Sequence, residues 1–196
     1  MKVAFMKNEI EARFVIGDGD RASLVNKIES EGFTLVQPEC LMKRYVYSIP
    51  NKDKSYYARV RDEGHRITAT VKCVSSNTIE GVQEAEIQVN SFDDAHALFS
   101  MMGLGVKGYQ ETKREHWKKG STELMIDTWP GLPTFIEIEG ESEAEVKNTS
   151  QALGFDWSDA GFGAIDTLYT KYLGWSADEI NTHPEIKFDN PPQARK

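Results

Sequence analysis

Six segments of this chain alternate polar or charged with apolar side chains at period two, and in several the charged face carries a single sign. They are Glu9–Ile16, Tyr56–Arg61, Arg66–Lys72, Glu84–Val89, Glu123–Asp127 and Phe135–Glu139. A period of two is the signature of a strand, because successive side chains point to opposite faces of a sheet. For any one strand the simplest account is a half-buried sheet with its charges in solvent. Several together resist that account. Glu-x-Glu occurs at Glu9/Glu11, Glu84/Glu86 and Glu137/Glu139, and Arg-x-Arg at Arg59/Arg61. Like charges two apart repel, whereas a merely solvated surface mixes its signs.

Packed around one interior, the acidic strands would face the basic ones. The result is a cavity with two electrostatic poles: carboxylates suited to a hard divalent cation, and arginine and lysine donors suited to a polyanion. A metal-bound triphosphate needs both. Such a barrel turns its apolar side chains outward, so other elements must cover them. Helices are available. Ser91-Phe92-Asp93-Asp94 and Ser142-Glu143-Ala144-Glu145 have the spacing of helix starts, and the helices they open end before Gly103 and Gly154. Leu24, Val25 and Ile28 after Asp20, and Ile165, Leu168 and Tyr169 within a segment from about 158 to 173, have helical spacing.

Bulk composition narrows the partners. With 23 Lys+Arg against 31 Asp+Glu, the net charge is 23 − 31 = −8. That balance argues against a nucleic-acid or membrane binder while leaving room for a local basic pocket. Cys40 and Cys73 fall in no metal-binding or disulfide pattern and read as free thiols of a reducing compartment. The stretch Met1–Lys7 becomes charged too early for a signal peptide, and no apolar run has the length of a membrane span. A cytoplasmic protein is expected, folded as one domain over residues 1–180, with an irregular tail over 181–196.

The order of these segments resembles the CYTH or triphosphate tunnel metalloenzyme superfamily, which includes class IV adenylyl cyclases, thiamine triphosphatases and inorganic tripolyphosphatases. Its hallmark E-x-E-x-K strand is similar to Glu9-Ile10-Glu11-Ala12-Arg13, with arginine replacing lysine. Arg59-Val60-Arg61, Thr70-Val71-Lys72, Glu84-Ala85-Glu86, Thr112-Lys113-Arg114, Asp127 and Leu132–Gly140 follow in the family's order. The resemblance implies an α+β fold: a closed eight-stranded antiparallel barrel with a polar interior and helices outside. It implies Mg²⁺ or Mn²⁺ held by Glu9, Glu11, Asp127, Glu137 and Glu139. Phosphates would be held by Arg13, Arg59, Arg61, Lys72 and Arg114, and Glu84 and Glu86 would orient the basic groups. Glu9, Glu11, Arg59 and Lys72 would carry catalysis. Arg13 keeps the charge of the lysine it replaces but cannot supply a neutral amine. Lys113 should point outward by alternation unless a bulge re-aims it.

The expected substrate is a small-molecule triphosphate: inorganic tripolyphosphate, thiamine triphosphate or a nucleoside triphosphate. The expected reaction is metal-dependent hydrolysis. Cyclisation of ATP to cyclic AMP and pyrophosphate is the alternative. A non-catalytic polyphosphate-binding module is a third reading, disfavoured by the retained carboxylates. The family allows a homodimer, and no seam in the sequence requires one.

Overall fold

The computed structural model describes residues 7–17, 20–53, 55–76, 78–79 and 81–195. The stretch Met1–Met6, used above against a signal peptide, lies outside them. The strands are β1 (Lys7–Val15), β2 (Thr34–Ser48), β3 (Tyr56–Asp62), β4 (Ile67–Val74), β5 (Val82–Val89), β6 (Gly105–Lys119), β7 (Thr122–Thr128), β8 (Phe135–Gly140) and β9 (Glu185–Ile186). The helices are α1 (Arg21–Ser30), α2 (Phe92–Met101), α3 (Glu143–Ala152), α4 (Asp166–Leu173) and α5 (Ala177–Asn181).

Strands pair in the order β2-β3-β4-β5-β1-β8-β7-β6, and β6 pairs back onto β2. All of these pairs are antiparallel, so eight strands form a closed ring without an edge. β9 adds to the outside of that order, parallel to β6 at Tyr109↔Glu185.

Period-two alternation then sorts each strand. Outward apolar faces form two clusters covered by helices, and a third cluster gathers around the β7–β8 connection. Ala12, Phe14, Ile126, Leu124, Ile136 and Ile138 pack with Leu24 and Ile28 of α1 and Val146 of α3. Tyr47, Ala58 and Val60 pack with Ala95, Phe92 and Phe99 of α2. Trp129, Leu132 and Phe135 pack with Leu168 and Tyr169 of α4, Ile180 of α5 and Ile186 of β9. Burying each large side chain stabilises the fold by roughly 1.5–3 kcal/mol. The helices are therefore the outer wall that an inverted barrel requires. Among the described residues, no helix is long and apolar enough to cross a membrane.

One expectation needs correction. The helix expected over about 158–173 is shorter: a single 3₁₀ turn at Trp157–Asp159, then an irregular stretch, then α4. Gly161 and Gly163 lie in that stretch. The backbone of Gly161 bonds Arg13 in both directions, at 2.9 and 2.8 Å, and Gly163 has φ +81°, outside the helical region. The C-terminal tail, irregular apart from β9, packs against the rest of the chain. Ile186 is 1% exposed, and the Arg195 amide donates to the Leu173 carbonyl at 2.9 Å.

Truncating Ile186 tests that docking. Ile186→Ala should cost about 2–5 kcal/mol of stability, read from urea unfolding. A loss below about 0.5 kcal/mol would show that β9 contributes nothing to the core.

Candidate functional site

The inward faces of the ring hold every charged residue singled out from the sequence. On β1 the alternation that sends Ala12 and Phe14 outward sends Glu9, Glu11 and Arg13 inward. Arg59 and Arg61 of β3, Lys72 of β4, Glu84 and Glu86 of β5, Arg114 of β6, Asp127 of β7, and Glu137 and Glu139 of β8 share that interior. Contacts across the ring confirm the direction. The Glu137 Oε1 accepts from Arg13 Nε and Nη2 at 3.1 and 2.9 Å, and its Oε2 accepts from Arg114 Nη2 at 2.8 Å.

The acidic pole gathers at β1, β5 and β8. Lys72 Nζ donates to both Glu9 oxygens at 2.9 and 2.8 Å and lies 3.2 Å from Glu84. Glu11 stands opposite Glu139 in the β1–β8 register. No described residue forms a salt bridge to Glu11. Burial, reinforced by Glu137 and Glu9 and opposed by Lys72 and Arg13, pushes its carboxyl up to about 8. Glu137 goes the other way. Burial alone would raise it, but Arg13 and Arg114 hold it at about 2.

The basic pole lies across the interior. Arg59 Nη2 donates to Thr70 Oγ1 and to Glu86 Oε2, both at 3.3 Å, while its Nε is buried without a partner among the described residues. Arg61 Nε donates to Glu63 Oε1 at 2.6 Å. Burial and the neighbouring Arg59 pull the Arg61 guanidinium down to about 10. Arg114 Nε donates to Asp127 Oδ1 at 2.7 Å. Asp127, expected with the metal ligands, is also a partner of Arg114, as Glu137 is. Lys113 points outward, its Nζ 5.2 Å from the Phe188 ring centroid.

Two interior residues escaped the sequence reading. Glu63, in the β3–β4 turn and 5% exposed, accepts from Arg61 and from Arg66 Nε at 2.6 Å. Arg44 of β2 donates through Nε to Gln110 Oε1 at 2.8 Å and stacks over the Trp129 ring at 4.2 Å. Alternation could have found Arg44 beside Met42, since Leu41 and Lys43 are exposed. Adjacent basic residues at 43 and 44 and bulged pairing in β2 hid the period.

Three buried donors in this interior have no partner among the described residues: Arg13 Nη1, Arg59 Nε and Thr68 Oγ1. Such groups are costly to leave unpaired and mark a place where a ligand or water completes the bonding. Among the described residues, no three His, Cys, Asp or Glu side chains are already spaced to cage a metal.

The sequence model of the CYTH domain matches residues 7–153. The chain belongs to the CYTH family. That match spans the eight-stranded ring and α1 to α3, and leaves α4, α5 and β9 outside it. Solved CYTH-like folds agree. A protein from Pyrococcus horikoshii superposes with TM-score 0.65 at 20% identity, covering 78% of this chain and 93% of its own. An adenylate cyclase candidate from Vibrio parahaemolyticus gives TM-score 0.70 at 12% identity, covering 84% and 98%. An adenylyl cyclase candidate from Hippeastrum, described as having a dominant triphosphatase activity, gives TM-score 0.52 at 16% identity, covering 83% and 95%. These likenesses establish the fold. No curated protein matches the chain.

Glu63 ties the stability of this CYTH barrel to pH. Burial would raise its carboxyl, but Arg61 and Arg66 lower it from 4.5 to about 2. Its folded-state value is thus depressed, so its contribution is complete above about 4.5 and is lost as pH falls towards about 2. Glu63→Gln should cost a few kcal/mol at pH 7. In urea unfolding the gap between variant and parent should shrink as pH drops through that window. A gap independent of pH would show that the carboxylate is not what stabilises Arg61.

Proposed function

We propose that this chain is a metal-dependent phosphohydrolase acting on a triphosphate held inside its barrel. The observation that carries this reading is a closed interior with an acidic and a basic pole, where buried guanidinium donors lack partners among the described residues. An anion of several linked phosphates supplies many acceptors along a line, which a tunnel of arginines can meet at several depths.

The donor set fits a hard divalent cation such as Mg²⁺ or Mn²⁺. Glu9, Glu11, Glu137 and Glu139 offer only carboxylate oxygen, the ligand type these ions prefer. Glu11 is half-buried beside other carboxylates and carries no described salt bridge, so a cation would complete its neutralisation. Once bound, the ion would neutralise charge on phosphate oxygens. Asp127 offers the same oxygen and also fixes the guanidinium of Arg114.

The chain's own residues account for the rest. Arg13, Arg59, Arg61 and Arg114 hold the non-bridging oxygens and fix the terminal phosphorus in line for attack. Lys72 remains a cation: burial opposes its charge, but Tyr57, Glu9 and Glu84 outweigh that and raise it well above an ordinary lysine. It therefore acts as a fixed positive charge where negative charge develops, not as a base. Glu84 and Glu86 keep Lys72 and Arg59 in place. Attack by water on the terminal phosphorus breaks its bond to the bridging oxygen, giving orthophosphate and the shortened phosphate. The dominant triphosphatase activity described for the Hippeastrum relative supports hydrolysis over cyclisation.

The test incubates the full chain with tripolyphosphate, thiamine triphosphate and ATP, with Mg²⁺ or Mn²⁺, and separates the products. Orthophosphate is expected. Cyclic AMP with little orthophosphate would replace hydrolysis with cyclisation. Tight binding with no turnover of any substrate would make the chain a binding module. Glu11→Gln should lower metal-dependent turnover by about 100-fold or more. Full activity in that variant would remove Glu11 from the metal site.

A further inference from the structure

Within the interior, each of Arg13, Arg59, Arg61, Lys72 and Arg114 meets a carboxylate, at distances from 2.6 to 3.3 Å. Arg44 meets none among the described residues. One bond from Nε to Gln110 is its only hydrogen bond to a described side chain, which leaves the two terminal nitrogens of the fork available. Burial and the positive charges of Arg59, Arg61 and Arg114 pull this guanidinium down to about 9. Its plane is nevertheless fixed, because it lies 4.2 Å from the Trp129 ring centroid.

The surroundings of Trp129 give Arg44 its meaning. By the alternation that sends Asp127 inward, Trp129 also faces the barrel axis, and Phe135 does so ahead of Glu137. Both belong to the apolar cluster built with α4, α5 and β9. Trp129 packs edge-on against Tyr169 at 6.3 Å, and the Tyr169 hydroxyl donates to the Pro130 carbonyl at 2.9 Å. Arg13 lies over Phe135 at 5.3 Å. Trp129 and Phe135 thus form an aromatic floor on one side of the polar interior, packed against C-terminal elements that lie beyond the matched CYTH span. A guanidinium on that floor has an apolar wall behind it and polar space in front.

We propose that Arg44, set on Trp129 and steadied by Gln110, is an additional anion seat at this aromatic floor, and that it takes the terminal phosphate of a linear polyphosphate. The inference rests on the triphosphate reading above and adds direction to it. A terminal phosphate seated on Arg44 lies at this aromatic floor, and the rest of the substrate extends away from it along the ring. Any nucleoside or thiamine moiety therefore points away from the floor. Two terminal N–H groups presented side by side match the oxygens of one phosphate, which a lysine ammonium on a mobile stem does not.

The experiment titrates the full chain and its Arg44→Gln variant with tripolyphosphate and with ATP, by calorimetry, first with EDTA so that turnover does not consume the probe and then with Mg²⁺. The thermal midpoint of each protein is measured with and without tripolyphosphate. Arg44→Gln should weaken both probes by a similar factor, roughly tenfold or more, because both present the same terminal phosphate. Without ligand its midpoint should hold or rise, since a half-buried charge with no carboxylate partner among the described residues has been removed. Arg44→Lys should recover only part of the loss. Equal affinity of variant and parent for tripolyphosphate would overturn the proposal. So would a loss confined to ATP, which would place the nucleoside at the floor, or a lowered ligand-free midpoint with unchanged affinity, which would make Arg44 a structural prop of Trp129. Failure of the unsubstituted chain to bind tripolyphosphate in either buffer would instead bring down the triphosphate reading itself.

Discussion

The structure depends on charges taken out of water and paired across a closed ring. Glu137 is the pivot. It joins Arg13 of β1 to Arg114 of β6 through its two oxygens, and Arg114 in turn is gripped by Asp127. Removing an ionised group from water costs several kcal/mol, and that cost is offset only when geometry and hydrogen bonding are nearly complete. Loss of any one member would strand the others. This is why these residues must occupy fixed positions on four different strands, and why register matters more here than in an apolar core. A one-residue slip in β8 would send Glu137 and Glu139 outward and drop Ile136 and Ile138 into the charged interior.

An inside filled with charge dictates the outside. The apolar half of each strand has nowhere to be buried except beneath a second layer. The helices follow the chain in step with that need: α1 and α3 cover the strands around β1 and β8, α2 covers β2 and β3, and α4 and α5 cover the end near Trp129. Stability comes chiefly from these outer seams, through ordinary burial of Phe, Ile, Leu and Val. The interior contributes specificity of arrangement and a site. A division of that kind lets the interior keep donors at Arg13 and Arg59 with no partner among the described residues, which a conventional core would not tolerate.

Much of this was legible because same-sign pairs two residues apart leave a trace that solvent exposure does not explain. Glu9/Glu11, Arg59/Arg61 and Glu137/Glu139 marked both the strands and the face that turns inward. Legibility failed where the period failed. β2 pairs with β6 through register shifts near Leu35, Gln37 and Val46, and each shift breaks the alternation. Arg44 was lost with it, next to Lys43, which points the other way. Glu63 was lost for a different reason: it lies beyond the end of β3, in a turn, where charged residues are ordinarily solvated. Only the fold shows that Arg61 and Arg66 enclose it. The helix expected from about residue 158 failed because backbone pairing between Gly161 and Arg13 outweighed the helical spacing further along.

The two poles also differ in how they balance, and that difference gives the tunnel a direction. Around Glu9, Glu11, Glu137 and Glu139, carboxylates crowd together, and Lys72, Arg13 and Arg114 relieve the repulsion only in part. At the floor the imbalance is reversed, with Arg44 facing Arg59, Arg61 and Arg114. A neutral ligand would relieve neither end. A cation alone would leave the floor uncompensated, and a lone phosphate would leave the carboxylates so. An extended anion carrying its own divalent cation would match both ends at once, and by binding only the folded state it would stabilise the chain. On the proposed reading, a triphosphate carrying its cation would relieve both ends together, with its terminal phosphate at the Arg44 end.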